Sequence, residues 1–163
     1  TLHTLFPYTT LFRSVMGDAI KMKFLKKNKH SKVPTYGRPG DSGMDLYVDS
    51  IISETAEQIE YGFGIFIELP EGYDAELRPR SSIKDRNISL SNSPGTIDWN
   101  YRGELMAVFY KNDRSLPYKI GERAAQLVIS KRPIVVEFEE VFSALELGHT
   151  ERGINGYGSS GND

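Results

Sequence analysis

The chain has no cysteine among its 163 residues. This excludes disulfide bonds, thiolate metal sites and a cysteine nucleophile, and it is compatible with a reducing compartment, so we expect a cytoplasmic protein. Apolar runs long enough to cross a bilayer are also missing, so we expect no membrane association. Basic residues are not in excess. The formal net charge is −2 and charged residues make up 26%, which is typical of a globular protein without an overall attraction to nucleic acid.

Length and local composition predict one folded domain followed by a tail. A chain of 163 residues suits a single domain, which on folding buries roughly 70% of the surface that the unfolded chain exposes. From Gly148 onward the sequence holds five glycines, two serines and few apolar residues, a composition that favours mobility. We therefore expect a domain over residues 21–147 and a mobile, glycine-rich arm over residues 148–163.

Residues 1–14 show no periodicity that favours a helix or a strand. They lack the basic start, the continuous apolar centre and the small-residue cleavage site of a signal peptide. The segment resembles a translated sequencing adapter, so we expect the native chain to begin at Met16 or Met22. We interpret residues 1–20 as a non-native or disordered leader and assign no functional residue to it.

Short apolar segments recur from Tyr47 onward, and Gly, Pro, Asn or Asp separates most of them. Their aromatic and β-branched content and their regular spacing predict an all-β sandwich or barrel. The run Ala124–Val128 resembles a helical turn, but β-branched residues follow it, so a strand is favoured. The predicted segments are Ile51–Ile52, Phe63–Leu69, Tyr73–Leu77, Ile88–Leu90, Leu105–Tyr110, Leu127–Ile129 and Ile134–Val141.

Six lysines and one histidine lie between Lys21 and Lys32. Such a run suits either a nucleic-acid-binding arm, with Phe24 as a stacking residue, or a solvated first strand. One basic run in a slightly acidic chain is more typical of an edge strand protected against aggregation. We therefore expect no stable binding of nucleic acid.

The segment Asn92–Leu105 predicts a β-hairpin that presents an isolated carboxylate. Pro94-Gly95 suits the centre of a tight turn, and a second glycine ends the segment before an apolar run. In an extended chain Ile97 and Asp98 point to opposite sides, so the carboxylate of Asp98 lies apart from the core and near an aromatic ring. Taken alone, such an aspartate most often caps the turn.

Four further segments combine small, basic and amide residues in patterns that suit phosphate binding. They are Ser42–Leu46, Arg78–Ser82, Gly121–Leu127 and Arg152–Gly161. Together with Asn92–Leu105 they resemble, in order, the five motifs of the trimeric dUTP nucleotidohydrolases (dUTPases), and the resemblance runs from about Lys21 to Gly161. It implies a single-domain, jelly-roll-like β-clip with a flexible C-terminal arm. It also implies hydrolysis of dUTP to dUMP and pyrophosphate with Mg²⁺, in a homotrimer with shared active sites.

The resemblance assigns the hairpin to the nucleoside and to the attacking water. Asp98 corresponds to the general base that activates the water for attack on the α-phosphorus. Asn92 corresponds to the amide that reads uracil, and Tyr101 to the ring that packs under deoxyribose and excludes a 2′-hydroxyl. Packing within the hairpin is the alternative for both. Further substrate contacts are implied at Gly95, Thr96 and Ile97.

The resemblance also assigns residues to the phosphates. Arg80 is implied in catalysis, and Ser81 corresponds to the serine that cradles the phosphate chain. Ser82 is also implied in substrate binding, at a position where the family usually has glycine. Gln126 corresponds to the amide near the phosphates and the catalytic aspartate. Alone, Arg80-Ser81-Ser82 would suit a surface turn with a salt bridge.

Two more phosphate-side expectations concern charged residues. Asp45 would hold Mg²⁺ through water, although a strand-end cap is its more usual role. Arg123 lies three residues before Gln126, so along a regular strand their side chains face opposite sides, and we expect Arg123 to pair with an acid.

The tail carries residues that a mere linker does not need. By resemblance Arg152 neutralises charge on the phosphate chain as an arginine finger does, and Tyr157 stacks on uracil. Asn155 replaces a usual glycine. The remaining implied contacts are Gly158, Ser159 and Ser160.

Two alternatives share this fold. dCTP deaminase uses a glutamate in the strand after the hairpin, whereas here that strand, Met106–Tyr110, has no acid. A non-catalytic nucleotide-sensing or partner-binding module is disfavoured because Asp98, Gln126 and Arg152 are all present.

Overall fold

The computed structural model describes residues 19–132 and 136–150. This part of the chain is built of strands and two short 3₁₀ helices, and within it no helix has the length and hydropathy needed to span a bilayer. The prediction of an all-β fold is confirmed. The strands are β1 (Lys23–Lys26), β2 (Thr35–Tyr36), β3 (Met44–Tyr47), β4 (Ser50–Glu54), β5 (Gln58–Glu68), β6 (Tyr73–Pro79), β7 (Ile88–Leu90), β8 (Gly95–Ile97), β9 (Glu104–Lys111) and β10 (Arg123–Lys131), and the 3₁₀ helices are Ser81–Asp85 and Ala144–Leu147.

The ten strands form two antiparallel sheets of five. The first has the order β1-β5-β9-β7, and β4 also pairs with β5. The second has the order β2-β3-β10-β6-β8. The chain alternates between the sheets, so residues far apart in sequence become neighbours at the sheet ends.

The period-two alternation of the strands creates one apolar core. In β9, Leu105, Ala107 and Phe109 are buried, whereas Met106 and Tyr110 are exposed. Buried residues of both sheets join a single cluster. Full burial of each large apolar side chain contributes about 1.5–3 kcal/mol, so the core stabilises the fold that positions the site.

Three aromatic rings meet in the core. Tyr61 and Tyr118 each contact Phe109 edge to face with ring centroids 5.7 Å apart, and they contact each other at 6.3 Å. The hydroxyl of Tyr61 donates to the carbonyl of Tyr118 at 2.9 Å. Burial raises the pKa of Tyr61 to about 12. The loop before β10 is therefore anchored to the first sheet.

The basic N-terminal segment forms the solvated edge strand that the sequence favours. All four residues of β1 are exposed, and β1 lies at the end of the first sheet. Lys23 pairs with Glu68 of β5 at 3.1 Å. Charged side chains at an edge oppose pairing with other chains.

Two predicted elements were wrong. The segment Asn92–Leu105 is not a two-stranded hairpin, because β8 pairs with β6 in the second sheet while β7 pairs with β9 in the first. Burial of Ile97 explains the difference, since this apolar side chain draws β8 to the second sheet. A strand over Ile134–Val141 is absent from residues 136–141, and residues 133–135 lie outside the described part.

The chain divides into two compact units, Thr1–Pro133 and Ile134–Asp163. All ten strands belong to the first unit. In the second, the structure describes residues 136–150, which contain the 3₁₀ helix Ala144–Leu147. The side chain of Ser143 caps this helix by accepting the N–H of Leu145 at 3.3 Å. The predicted domain boundaries at 20 and 147 stay predictions.

Candidate active site

One cleft gathers the residues that the sequence assigned to the nucleoside, apart from Tyr157, which lies outside the described part of the chain. Its volume is about 310 Å³. One wall is the segment around β8, and the other is formed largely by β9. The sequence-predicted lining residues are Asn92, Gly95, Thr96, Ile97, Asp98 and Tyr101. The sequence reasoning missed the opposite wall, including Met106 and Val108.

Asp98 presents a free carboxylate to this cleft. It follows buried Ile97, and its own side chain is exposed. The turn after it is closed by the N–H of Tyr101, which donates to the backbone carbonyl of Asp98 at 3.0 Å. Among the described residues no donor binds the carboxylate itself. Asp98 therefore does not use its side chain to cap the turn, and its oxygens remain available to a ligand or a water.

The ring of Tyr101 is fixed beside Asp98. Its hydroxyl donates to the carbonyl of Glu104 at 2.9 Å, and the ring lies so close to Gly103 that a Cβ there would collide with it. Glu104 is itself held, because its carboxylate accepts the N–H of Gly64 at 2.9 Å and pairs with Lys27 at 2.8 Å. The tyrosine is thus placed before any ligand arrives.

The only tryptophan of the sequence belongs to the same turn. Trp99 lies between Asp98 and Tyr101 and is 36% exposed. Its carbonyl accepts from Arg102 at 2.7 Å. The indole ring is therefore partly solvated and does not belong to the core cluster.

A second cluster gathers the residues assigned to the phosphates. Asp45 of β3 and Gln126 of β10 are register partners, so their side chains lie on the same face of the second sheet. Arg80 binds one oxygen of Asp45 at 2.7 Å, and Arg123 binds the other at 3.0 Å. The carboxylate is 11% exposed. It holds two guanidinium groups on one face, which is a surface suited to polyphosphate.

The pairing of Arg123 with an acid is confirmed, but its predicted orientation was wrong. A β-bulge between Arg123 and Ala125 shifts the register of β10 against β3. The extra residue brings the side chain of Arg123 to the face that carries Gln126. Regular alternation, which would place them on opposite faces, does not hold across this bulge.

Gln126 is held by its neighbours. Its amide nitrogen donates to the carbonyl of Pro79 at 3.0 Å. The amide also packs on Gly43, where a Cβ would collide with its oxygen. A glycine is thus required at position 43 for this placement, which the sequence reasoning had not noticed.

The 3₁₀ helix Ser81–Asp85 carries both serines. It begins directly after Arg80, whose carbonyl accepts the N–H of Ile83 at 3.0 Å. Ser81 is exposed and Ser82 is half-buried. Arg80 donates to the hydroxyl of Ser82 at 3.4 Å. The two serines and two arginines therefore lie at one end of the second sheet.

An ion pair that the sequence reasoning missed fixes the far end of this helix. Arg86 binds both oxygens of Glu122 at 3.1 and 3.2 Å. The hydrogen bond from Arg86 lowers the pKa of Glu122 below its usual value. The same guanidinium lies 4.0 Å above the ring of Tyr118. These residues are 36 positions apart, so no local sequence signal marks the pair.

Asp45 suits Mg²⁺ only through water. Both of its oxygens already accept from an arginine, and within the described residues no group of three or more acidic or histidine side chains could hold a metal. Mg²⁺ often keeps its waters and binds to substrate phosphates. The site thus fits an ion that arrives with the nucleotide, and does not fit one coordinated directly by the chain.

The remaining predicted residues lie outside the described part of the chain. They belong to the C-terminal arm and are Arg152, Asn155, Tyr157, Gly158, Ser159 and Ser160.

Comparison with known proteins decides the family. The dUTPase family model matches residues 29–161. The chain belongs to the dUTPase family. A deoxyuridine 5′-triphosphate nucleotidohydrolase of Hydrogenobaculum sp. (strain Y04AAS1) is 38% identical over 146 residues, which cover 87% of this chain and 99% of that protein. The predicted family and enzyme class are confirmed.

Solved structures of phage dUTPases share the fold. The dUTPase of Staphylococcus bacteriophage 80alpha, solved with dUpNHpp, is 22% identical with a TM-score of 0.68, over 88% of this chain and 99% of that one. A variant of the dUTPase from phage phi11 of S. aureus, described with a structural Mg(II) ion, is 20% identical with a TM-score of 0.62, over 77% of this chain and 99% of that one.

Proposed function

We propose that the chain hydrolyses dUTP to dUMP and pyrophosphate. The observation that carries the proposal is the cleft that brings the free carboxylate of Asp98 together with the amide of Asn92 and the fixed ring of Tyr101. An amide donates and accepts hydrogen bonds, as reading a uracil edge requires. The printed name of the relative that shares 38% identity describes the same substrate.

Asp98 is the general base in this mechanism. Its carboxylate takes a proton from a water, which attacks the α-phosphorus and displaces pyrophosphate. Charge grows on the phosphate oxygens in the transition state. Arg80, Ser81 and Gln126 stabilise it by donating hydrogen bonds, and Arg80 and Gln126 are held in position before the substrate binds. Arg152 adds a further positive charge when the arm closes.

Magnesium accompanies the triphosphate in this proposal. When bound, the ion neutralises phosphate oxygens and favours departure of pyrophosphate. Asp45 contributes through water, in keeping with its two arginine partners. The structural Mg(II) ion named for the phage phi11 protein is compatible with this use of the metal.

We also propose a homotrimer with shared sites, which the separation of the two clusters supports. β8 places Ile97 opposite Ala75 of β6, whereas Arg80 follows the other end of β6. Arg80 lies five positions after Ala75, which is roughly 16 Å in extended chain. A general base must lie within about 3 Å of its water. In this proposal Asp98 of one chain works with the phosphate cluster of a neighbour, an arrangement that threefold symmetry permits.

A product assay with dUTP, dCTP and UTP tests the function. We expect pyrophosphate and dUMP from dUTP, and little turnover of dCTP or UTP. Ammonia release from dCTP would instead indicate a deaminase. Tight nucleotide binding without any product would indicate a sensing module.

A further inference from the structure

The strand β5 is irregular where it faces the start of β9. Its pairing with β9 shifts register between Gly62 and Phe66, and Gly64 has a φ of +67°, which favours glycine. A Cβ at Gly62 would lie 2.6 Å from a carboxylate oxygen of Glu104. The side chain of Glu104 therefore occupies space that Gly62 leaves open, and we call this space beside Gly62 and Gly64 the glycine socket.

The carboxylate of Glu104 is held in the socket by two donors. One oxygen accepts the N–H of Gly64 at 2.9 Å, and the other accepts from the ammonium of Lys27 at 2.8 Å. Lys27 also donates its backbone N–H to the carbonyl of Gly64 at 2.8 Å. The side chain of Glu104 is 11% exposed and that of Lys27 is 45% exposed. Lys27 thus lies on the solvent side of the socket.

A mostly buried carboxylate depends on its cation. Removing one partner of such a pair leaves the other charge away from water without compensation. Among the described residues Lys27 forms the one salt bridge to Glu104. Loss of the ammonium would therefore favour movement of the carboxylate out of the socket and toward water.

The backbone of Glu104 connects the socket to the cleft. Its carbonyl accepts the hydroxyl of Tyr101 at 2.9 Å, and both residues line the cleft. Glu104 is the first residue of β9, so the side chain that fills the socket also fixes the carbonyl that holds the tyrosine. Lys27 does not line the cleft, and it reaches Tyr101 only through Glu104.

We propose that Lys27 is a positioning residue for sugar selection. Its ammonium keeps the carboxylate of Glu104 in the glycine socket, and Glu104 keeps the ring of Tyr101 where it excludes a 2′-hydroxyl. The basic segment Lys21–Lys32, which the sequence indicates to be a solvated edge, thereby acts on the cleft through one of its lysines. This inference rests on the proposed dUTP site.

Substitutions of two lysines test this role. Lys27→Met removes the ammonium, so we expect the ratio of kcat/KM for dUTP to that for UTP to fall roughly fivefold, the effect of one ordinary hydrogen bond. Lys27→Arg keeps the charge and should retain the ratio. Lys23→Met is the matched control, because it removes an exposed ion pair of the neighbouring strand β1, with Glu68 at 3.1 Å.

A second background tests the route through Tyr101. Tyr101→Phe lacks the hydroxyl that binds Glu104, so Lys27→Met should lower the ratio no further in that background. Hydrogen exchange in the absence of substrate gives a readout that does not depend on activity. Exchange of the amides of Gly64 and Tyr101 should rise in Lys27→Met and stay unchanged in Lys23→Met.

The other results overturn the inference. An unchanged ratio in Lys27→Met, or an equal fall in Lys23→Met, would show that the pair with Glu104 does not control sugar selection. A further fall in the Tyr101→Phe background would show that Lys27 acts by another route. Turnover of dUTP with any of these results refutes this inference alone. If the unchanged chain does not turn over dUTP, the proposed function and the role in sugar selection both fail, and hydrogen exchange still decides whether Lys27 holds Tyr101.

Discussion

Asp45 and Gln126 lie opposite each other across β3 and β10, and both hold the end of β6 in place. Asp45 binds the side chain of Arg80, and Gln126 donates to the carbonyl of Pro79. The start of the Ser81–Asp85 helix is thus fixed from two sides. Donors that are fixed in advance lose little free energy to reorganisation during the reaction.

The ion pairs of Asp45 give a prediction about stability. Asp45→Asn leaves Arg80 and Arg123 without a negative partner on a mostly buried face. We expect the free energy of unfolding to fall by about 2 kcal/mol. Denaturant titration measures it. Asp85→Asn, which removes an exposed pair with Lys84, should cost less than about 1 kcal/mol, and equal losses in the two variants would contradict the assignment.

The free carboxylate of Asp98 gives a prediction about catalysis. Asp98→Asn keeps the shape but does not accept the proton of water, so kcat should fall by at least about 100-fold. Binding of dUpNHpp should change little. Steady-state kinetics and calorimetry measure the two quantities. Turnover near that of the unchanged chain would refute the general-base role.

The fixed ring of Tyr101 gives a prediction about sugar selection. Tyr101→Ala opens the space under the sugar, so the ratio of kcat/KM for dUTP to that for UTP should shrink. Tyr101→Phe is the matched control, since it keeps the ring and loses only the bond to the carbonyl of Glu104. If the ratio is unchanged in the alanine variant, another residue excludes the 2′-hydroxyl.

The pairing of Glu122 with Arg86 gives a prediction about pH. Arg86 lowers the folded-state pKa of Glu122 below its usual 4.5. The stabilisation is therefore fully present above that pH and is lost as the pH falls through the folded-state pKa. We expect Glu122→Gln to be less stable than the unchanged chain at neutral pH, with the difference shrinking in acid.

Unfolding curves at several pH values measure this difference. Glu71→Gln is the control, because Glu71 is exposed and forms no salt bridge within the described residues. A difference for Glu122→Gln that stays constant from neutral to strongly acid pH would show that the charge is not responsible.

Shared sites predict complementation between inactive chains. One variant carries Asp98→Asn with an intact arm, and the other keeps Asp98 but is truncated after His149. Refolded together, some mixed trimers combine a working base with a working arm, so pyrophosphate release should exceed that of either variant alone. Mixed trimers verified by mass spectrometry that stay inactive would refute sharing.

The strands were largely predictable because their side chains alternate. β9 extends the predicted Leu105–Tyr110 by one residue at each end. The partners of β8 were not predictable, since three residues give too little pattern to choose a sheet. From the sequence alone, the segment containing Ile97 is typical of a hairpin. Only the folded structure shows that β8 joins the second sheet and that the side chain of Ile97 is buried there.

The site residues were predictable where they belong to short sequence motifs. The nucleoside residues from Asn92 to Tyr101 are close in sequence and share one cleft. The bulge at Arg123 and the bond between Arg86 and Glu122 were not predictable. Each depends on segments that are far apart in the sequence and become neighbours only when the sheets form. Nothing in the sequence shows that the hydroxyl of Tyr118 is buried.

Trp99 is an intrinsic fluorescent probe. It is the only tryptophan, so every change in indole emission originates in the residue that directly follows Asp98. Because the ring is 36% exposed, any rearrangement of this turn on nucleotide binding changes its contact with water and shifts the emission. Nucleotide association can thus be followed by stopped-flow spectroscopy on the unlabelled protein, and Trp99→Phe supplies the silent background.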